Sequence, residues 1–303
     1  MNERNKPTVS VLLSTYNGHK FIRELVESVL AQEGVNVKLQ VRDDGSSDDT
    51  IEILKSYNDS RISVRTGDNL KPALSFLTLL RECDDSDYYA YCDQDDFWYP
   101  NKLITAIKEL QNINAPALFI STYDVCDEHL NKMFTFDMKF DEPLRLQDIL
   151  LYRAPSACNM VFNHGLREVI NRSHPSFVRM HDFWTLIVTL SHDYQIITKD
   201  IPLIKYRQHE DEQIGITPTF MTRLKRLVRS SNKGENERWR QAKEAYEAYK
   251  DEISEDKKDI LETLIDYRKS KENKRNLLRD KRFKTSSRYI NILFRASVMM
   301  GKF

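Results

Sequence analysis

The chain has 303 residues, of which 40% are hydrophobic and 30% are charged, and its formal net charge at pH 7 is zero. This length can bury a substantial core, with room for a second small domain. The balanced charge argues against a dedicated nucleic-acid-binding protein. Neither a GxGxxG nor a GxxxxGK[ST] loop is present, so a Rossmann-type cofactor or a P-loop nucleotide is not expected.

Cysteine usage and the apolar runs favour a cytoplasmic protein. The cysteines stand far apart without a CxxC pair, which is typical of reduced thiols; they are Cys83, Cys92, Cys126 and Cys158. The apolar run at residues 9–13 is too short for a signal peptide. No stretch reaches the roughly 20 apolar residues that cross a bilayer, so we expect a chain that does not span a membrane.

Strands and helices alternate in the first part of the sequence. Hydrophobic periodicity predicts strands at 9–13, 37–41, 61–65 and 88–91, and helices at 21–30, 51–57, 72–83 and 100–111. Such alternation is typical of right-handed βαβ units. It predicts an α/β fold with a mainly parallel sheet flanked by helices.

From about residue 115 the pattern becomes mixed. It predicts strands at 117–121 and 158–162, helices at 146–152 and 180–191, a final strand pair at 194–198 and 203–206, and a loop at 210–218. This change divides residues 1–221 into a first half of about 1–115 and a second half of about 116–221.

Residues 222–303 are rich in Lys, Arg and Glu and predict a C-terminal extension of two or three helices. Its last part, residues 279–303, holds seven basic residues and one acidic residue, interleaved with apolar side chains. This basic amphipathic tail would either lie on anionic lipid or dock on the body of the protein.

Polar clusters follow three of the predicted strands. They are residues 14–17, Asp43-Asp44 and residues 93–96. Ligands of parallel sheets gather beyond the carboxyl ends of the strands, so we expect these clusters to form a binding site. Carboxylates at i and i+2 in the last cluster suit Mg²⁺ or Mn²⁺, particularly one that also holds a diphosphate. The alternative is a solvated acidic turn that caps the next helix.

Five sequence blocks together resemble the inverting family 2 glycosyltransferases of the GT-A fold. They are VSVLLSTYNG at 9–18, VRDDGSSDDT at 41–50, DQDDFWYP at 93–100, HDFW at 181–184 and YRQH at 206–209. The resemblance covers about residues 8–210, in the family's order and approximate spacing. The last three blocks look most like those of bacterial rhamnosyltransferases that build cell-surface polysaccharides.

The resemblance implies a nucleotide-sugar site in the first half of the chain. Ser14, Thr15 and Tyr16 would line the base pocket, and Asp44 would accept a hydrogen bond from the base. Asp43 would either assist or only make loop hydrogen bonds. The same resemblance assigns Asp93, Gln94, Asp96 and Arg207 to the nucleotide sugar. Asp93 would lie near the ribose, and Arg207 would pair with the diphosphate.

The metal and the catalytic base are implied in the same way. Asp95 would hold Mg²⁺ or Mn²⁺, with His209 as a further contact. Asp182 is the candidate general base, although capping its own helix is an alternative role. We interpret Trp98 as a packing residue, and Asn159 would either face the sugar or end a strand.

The predicted function is transfer of L-rhamnose from dTDP-β-L-rhamnose to a cell-surface or lipid-linked glycan. The alternative donor is a UDP-hexose or UDP-N-acetylhexosamine. Two other classes are a receiver-like signalling domain and a catalytically inactive glycan-binding protein. We expect a cytoplasmic protein with no nucleic-acid partner, which contacts the inner membrane surface peripherally through its tail.

Overall fold

The structure is a computed structural model that describes residues 6–138, 143–151, 157–209, 237–285 and 287–303. The predicted 210–218 loop and the boundary near 221 lie outside these residues. The first half contains β1 (Thr8–Thr15), α1 (Ile22–Leu30), β2 (Asn36–Asp43), α2 (Thr50–Ser56), β3 (Ile62–Thr66), α3 (Lys71–Glu82), β4 (Tyr88–Cys92), β5 (Phe97–Trp98) and α4 (Lys102–Leu110). These bounds match the predicted alternation, apart from the short β5.

The second half contains β6 (Ala117–Cys126), β7 (Lys132–Thr135), α5 (Leu146–Leu151), β8 (Met160–Asn163), α6 (His164–Asn171), α7 (His181–Ser191) and β9 (Gln195–Arg207). The C-terminal helices are α8 (Glu237–Tyr249), α9 (Glu255–Asp266), α10 (Lys271–Arg279) and α11 (Arg288–Met300). The described residues also include two 3-10 turns, Ala157–Asn159 and Lys281–Phe283.

Among the described residues the strands join in one sheet in the order β3-β2-β1-β4-β8-β6-β9-β5, with β7 added on β6. The first four strands are mutually parallel. Thr15 pairs with Asp43 and Leu13 pairs with Cys92, so the carboxyl ends of β1, β2 and β4 lie level at one edge. The predicted α/β class is confirmed.

The remaining strands make the sheet mixed rather than uniformly parallel. β8 lies antiparallel between β4 and β6, whereas β9 runs parallel to β6. The predicted strand pair at 194–198 and 203–206 is wrong, because both segments belong to the single strand β9. The pairing of β9 with β6 shifts register at Thr122, which lies opposite Pro202. Because proline cannot donate a hydrogen bond to the neighbouring strand, the sequence pattern suggested two strands.

In the described part of the chain two hydrophobic clusters form the core, and the C-terminal helices belong to one of them. Leu264, Tyr267 and Leu277 are fully buried in the same cluster as Leu12 of β1 and Trp184 of α7. Burial of apolar surface is the dominant favourable term in folding. The extension is therefore built into the core of the α/β body.

The last helix, α11, divides the predicted tail into a docked and an exposed face. Phe294 and Val298 are buried, whereas Ile292 and Met299 are 57% and 68% exposed. Gly301 ends the helix with φ of +69°, a left-handed conformation that glycine adopts without strain. Within the described residues, no helix combines the length and apolarity needed to cross a bilayer.

Candidate active site

The polar clusters that follow β1 and β4 are joined by the side chain of Gln94. Its Oε1 accepts hydrogen bonds from Thr15 Oγ1 at 2.7 Å and from the backbone N–H of Tyr16 at 2.9 Å, and its Nε2 donates to the Tyr16 carbonyl at 3.3 Å. A Cβ at Gly18 would lie 2.6 Å from Gln94 Oε1, so glycine leaves room for this bridge. The Tyr16 side chain stays 49% exposed and presents a ring for stacking.

Asp43, the last residue of β2, and Asp44, which follows it, have different surroundings. Asp43 Oδ2 accepts the backbone N–H groups of Gly45 and Ser46 at 3.0 and 2.8 Å. Gly45 has φ of +80°, which glycine tolerates best. Asp43 therefore makes loop hydrogen bonds, which is one of the two roles that the sequence analysis considered for it.

Asp44 is a buried carboxylate held from three sides. It forms an ion pair with Arg42, and accepts hydrogen bonds from Ser75 Oγ at 2.8 Å and from the backbone N–H of Leu70 at 3.0 Å. Ser14 Oγ in turn donates to Ser75 Oγ at 2.7 Å. The sequence analysis missed Arg42 and Ser75. Arg42 could have been found, because residues two apart on a strand share a face.

The acidic loop is defined as residues 93–96. The negative charges of its carboxylates are poorly compensated by neighbouring protein groups. Burial, with the charges of Asp95 and Asp182, raises the pKa of Asp93 to about 7. Burial, with the charges of Asp95 and Asp93, raises the pKa of Asp96 well above its usual range. The Cys158 side chain and the Arg207 backbone N–H, as hydrogen-bond donors to Asp96, lower this pKa only in part. Such crowding favours a cation nearby.

The YRQH block returns to this acidic loop at the end of β9. His209 Nε2 lies 2.9 Å from Asp95 Oδ2, and Arg207 Nε donates to the Asp95 carbonyl at 2.9 Å. The other guanidinium nitrogens of Arg207 donate to the carbonyl of Glu128 and to the carboxylate of Glu24. Arg207 thus holds the loop through protein contacts, and its pairing with a diphosphate stays a prediction.

A buried lysine that the sequence analysis missed lies behind the acidic loop. Lys102 is 1% exposed and its Nζ is 3.5 Å from the ring centroid of Trp98. Burial lowers the pKa of Lys102 to about 8. The signal was available, since Lys102 occupies the buried face of α4 together with Ala106 and Leu110. Trp98 is fully buried, as its packing interpretation requires.

The HDFW block opens α7 beside the acidic loop. Asp182 Oδ1 accepts the backbone N–H of Phe183 at 2.7 Å. The Asp182 charge raises the pKa of Asp93, so the two carboxylates are electrostatic neighbours. His181 is buried and stacks on Phe76 with ring centroids 3.8 Å apart, and burial lowers the pKa of His181 to about 3. His181 is therefore neutral and packs beneath the site.

The region before α3 and the Asn159 segment also bear on the site. Asn159 is fully buried in the turn that precedes β8, which agrees with its role as a strand boundary.

A Cβ at Gly67 would lie 2.9 Å from a guanidinium nitrogen of Arg42. Gly67 therefore allows Arg42 to reach Asp44.

The donor set around Asp95 fits a divalent cation. Carboxylate oxygens and an imidazole nitrogen are suitable ligands, and Asp95 and His209 already lie in contact. The raised pKa of Asp93 reports uncompensated negative charge at the same place. Asp95 and His209 therefore stay the predicted ligands of Mg²⁺ or Mn²⁺.

Polar loops follow β1, β2 and β4 at one edge of the sheet, and the segment after β9 returns an imidazole to the last of these loops, as expected of a glycosyltransferase of the GT-A fold. The chain belongs to glycosyl transferase family 2, whose model matches residues 10–169. The predicted family and fold are confirmed. This membership is inconsistent with a receiver-like signalling domain.

Known proteins similar to this chain act on nucleotide sugars. The dTDP-rhamnosyl transferase RfbG of Shigella flexneri is 26% identical over 239 residues, which are 73% of this chain and 80% of RfbG. WfaP of Escherichia coli, a UDP-Glc:α-D-GlcNAc-diphosphoundecaprenol β-1,3-glucosyltransferase, is 25% identical over 227 residues, 74% of this chain and 84% of WfaP.

The structure of the mannosyltransferase PcManGT of Pyrobaculum calidifontis, solved with GDP-Man and Mn²⁺, is similar in fold. It aligns with a TM-score of 0.58 at 16% identity, over 98% of this chain and 81% of PcManGT. At this identity the likeness concerns the fold alone.

Proposed function

We propose that the chain is a metal-dependent inverting rhamnosyltransferase, which moves L-rhamnose from dTDP-β-L-rhamnose to a glycan acceptor. The observation that carries this proposal is the contact of His209 with Asp95 in the acidic loop, where the charge of Asp182 also acts on Asp93. Donor, metal and base functions are needed at one point. Family membership supports the transferase chemistry. Similarity to RfbG supports the dTDP-rhamnose donor.

In this proposal the donor binds across the ends of β1, β2 and β4. The base stacks on Tyr16 in a pocket completed by Ser14 and Thr15, and its N3–H donates to Asp44. The buried pair with Arg42 supports this role, because it fixes the acceptor before the nucleotide arrives. Asp93, Gln94, Asp96 and Arg207 are assigned to the ribose, diphosphate and sugar.

Asp182 is the proposed general base. The acceptor hydroxyl oxygen bonds to the anomeric carbon while the bond from that carbon to the diphosphate oxygen breaks, and Asp182 takes the hydroxyl proton. Its place at the N-terminus of α7 favours the ionised carboxylate that this role requires. Attack opposite the leaving group inverts the sugar and gives an α-L-rhamnosyl linkage. Mg²⁺ or Mn²⁺ at Asp95 and His209 would neutralise charge on the departing nucleoside diphosphate.

A UDP-hexose, including UDP-N-acetylhexosamine, is the second candidate donor, favoured by the similarity to WfaP. The N3–H contact cannot separate the two nucleotides, because uracil and thymine share it. A transfer assay with dTDP-rhamnose, UDP-glucose and UDP-GlcNAc in the presence of Mn²⁺ tests the choice. We expect turnover and thermal stabilisation with dTDP-rhamnose; stabilisation by UDP-sugars alone would assign the second donor class. Binding of glycan without turnover of any donor would instead indicate an inactive relative.

The proposed acceptor is a cell-surface or lipid-linked glycan at the cytoplasmic face of the plasma membrane. The exposed side chains of Ile292, Met299 and Met300 on α11 support peripheral contact with that surface. Arg288 and Arg295 are exposed on the same helix and complement anionic lipid. We assign donor binding to about residues 1–115, acceptor binding to about 116–221, and surface contact to the extension 222–303.

A further inference from the structure

Protein groups already fill most of the acceptor positions of Asp44, the proposed acceptor of the base N–H. Asp44 Oδ1 accepts a hydrogen bond from Ser75 Oγ at 2.8 Å and forms an ion pair with Arg42 Nη1. Asp44 Oδ2 accepts the backbone N–H of Leu70 at 3.0 Å. A carboxylate offers about four lone-pair positions, so the contacts of the described residues leave Asp44 about one, on Oδ2.

The groups that fill these positions are fixed by contacts of their own. Arg42 Nη2 donates to the Asp68 carbonyl at 3.0 Å, and Arg42 is 8% exposed. Ser75 is fully buried, and its Oγ accepts hydrogen bonds from Ser14 Oγ at 2.7 Å and from Arg42 Nη1 at 3.3 Å. With both acceptor positions of this hydroxyl used, its proton is directed to Asp44. Rotation of the Asp44 carboxylate would leave buried donors unpaired, which is costly.

This network borders the segment that is assigned to the base. The backbone N–H of Asp44 donates to the Thr15 carbonyl at 2.9 Å, and the Ser14 hydroxyl joins the network through Ser75. The next side chain, Tyr16, is 49% exposed. A nucleobase stacked on Tyr16 would therefore meet an Asp44 carboxylate that accepts one further hydrogen bond.

Nucleobases differ in the number of N–H groups that they offer to a carboxylate. Uracil and thymine present N3–H alone, between two carbonyl groups. Guanine presents N1–H and an amino N–H side by side, and each needs an acceptor. With one acceptor position available, the second donor of guanine would be buried without a partner. Such a mismatch weakens binding by about tenfold or more.

We propose that Arg42 and Ser75 are positioning residues that set the nucleobase specificity of the site. By occupying the other acceptor positions of Asp44, they restrict this carboxylate to a base with one N–H and exclude guanine. The proposal rests on the function proposed above, in which Asp44 contacts the base. It narrows the donor class to sugars carried by uracil or thymine nucleotides.

The first test measures nucleotide binding to the full chain by calorimetry with Mn²⁺. We expect dTDP and UDP to bind, and IDP to bind about tenfold more tightly than GDP, because hypoxanthine has the N1–H of guanine without its amino group. Equal affinities for IDP and GDP would overturn the proposal. Failure of both purine nucleotides to bind would also overturn it, since the size of the pocket would then exclude guanine.

The second test uses Ser75→Ala, which returns one acceptor position to Asp44 Oδ1. Relative to dTDP, this variant should bind GDP about tenfold more tightly than the wild type does, while the relative affinity for IDP stays unchanged. Thr78→Ala removes a half-buried hydroxyl from the same helix and should keep the wild-type preferences. An equal gain for both purines would indicate only a larger pocket. That result, or no gain for GDP, would overturn the role of Ser75.

The third test removes the charged partner of Asp44. Arg42→Met should raise the Kd of dTDP about tenfold, whereas kcat at saturating donor should change less, because Asp44 contacts the base and not the reacting atoms. Arg65→Met is the matched control, since Arg65 pairs with Arg42 in register on β3 and its side chain is 39% exposed. An unchanged Kd for dTDP in Arg42→Met would overturn the role of Arg42.

These binding measurements separate the specificity from the proposed reaction. If the chain transferred no rhamnose but showed the expected preferences among dTDP, IDP and GDP, the proposed function would fail and the specificity would stand. Transfer of rhamnose by a chain that binds GDP as tightly as IDP would have the opposite meaning.

Discussion

His209 Nε2 lies 2.9 Å from Asp95 Oδ2, although 114 residues separate them in the chain. The contact arises because β9 runs beside β6 and also pairs with β5, directly after the acidic loop. The strand therefore carries its last residues back to the ends of the first parallel strands. An imidazole and a carboxylate from distant motifs meet where a diphosphate-bound cation is proposed.

His209→Ala is expected to weaken metal binding while leaving the fold intact. Removal of one ligand should raise the Mn²⁺ concentration for half-maximal transfer about tenfold, measured by titrating Mn²⁺ in the transfer assay. His129→Ala is the control, since that side chain is 77% exposed. Equal Mn²⁺ requirements for the two variants would remove His209 from the metal site.

Asp182→Asn is expected to lower kcat by about 100-fold or more, because general base catalysis contributes at least that factor. The affinity for dTDP, measured by calorimetry with Mn²⁺, should change little, because the base acts on the acceptor hydroxyl. Asp200→Asn, at an exposed position of β9, should transfer sugar at the wild-type rate. Full activity in Asp182→Asn would assign the base to another residue.

His181 makes the chain sensitive to acid. Its pKa is about 3 in the folded chain, against 6.5 ordinarily, so between these values the unfolded chain binds a proton that the folded chain excludes. Stability therefore falls as the pH falls from 6.5 towards 3, by about 1 kcal/mol per pH unit from this residue. His181→Phe keeps the ring packing against Phe76 and should flatten that slope in urea unfolding series from pH 7 to 5.

The comparison for this pH series is His129→Phe, because the His129 side chain is 77% exposed and is not packed in the core. This control should retain the acid-dependent slope of the wild type. A slope unchanged in His181→Phe would show that other groups cause the acid sensitivity.

The exposed face of α11 is expected to bind anionic lipid. Vesicles with phosphatidylglycerol should sediment the wild-type chain, whereas phosphatidylcholine vesicles should not, because basic residues gain about 1 kcal/mol each near an anionic surface. The double variant Ile292→Ser and Met299→Ser should lose most binding. Ile201→Ser removes a 45% exposed apolar side chain from β9 and should bind like the wild type. Retention of full binding by the α11 variant would exclude this face.

Much of the fold follows from local pattern. The order of β1 to α4 was predictable because alternating hydrophobic periods and polar strand ends are encoded in neighbouring residues. Three short elements, β5, β7 and α6, were missed. β5 has two residues and β7 is exposed throughout, so neither carries a periodic apolar signal. Such strands exist because a longer neighbouring strand supplies their hydrogen bonds.

The sequence alone determined the family, the alternating body and the residue types of the candidate site, since each is carried by a short contiguous motif. Only the tertiary structure decided which of these residues meet. Ser75 donates a hydrogen bond to Asp44, and Lys102 is buried against Trp98. Arg207 contacts Glu24 and the acidic loop. These relationships depend on how distant segments pack, and the energetic cost of a buried charge becomes visible only when its surroundings are known.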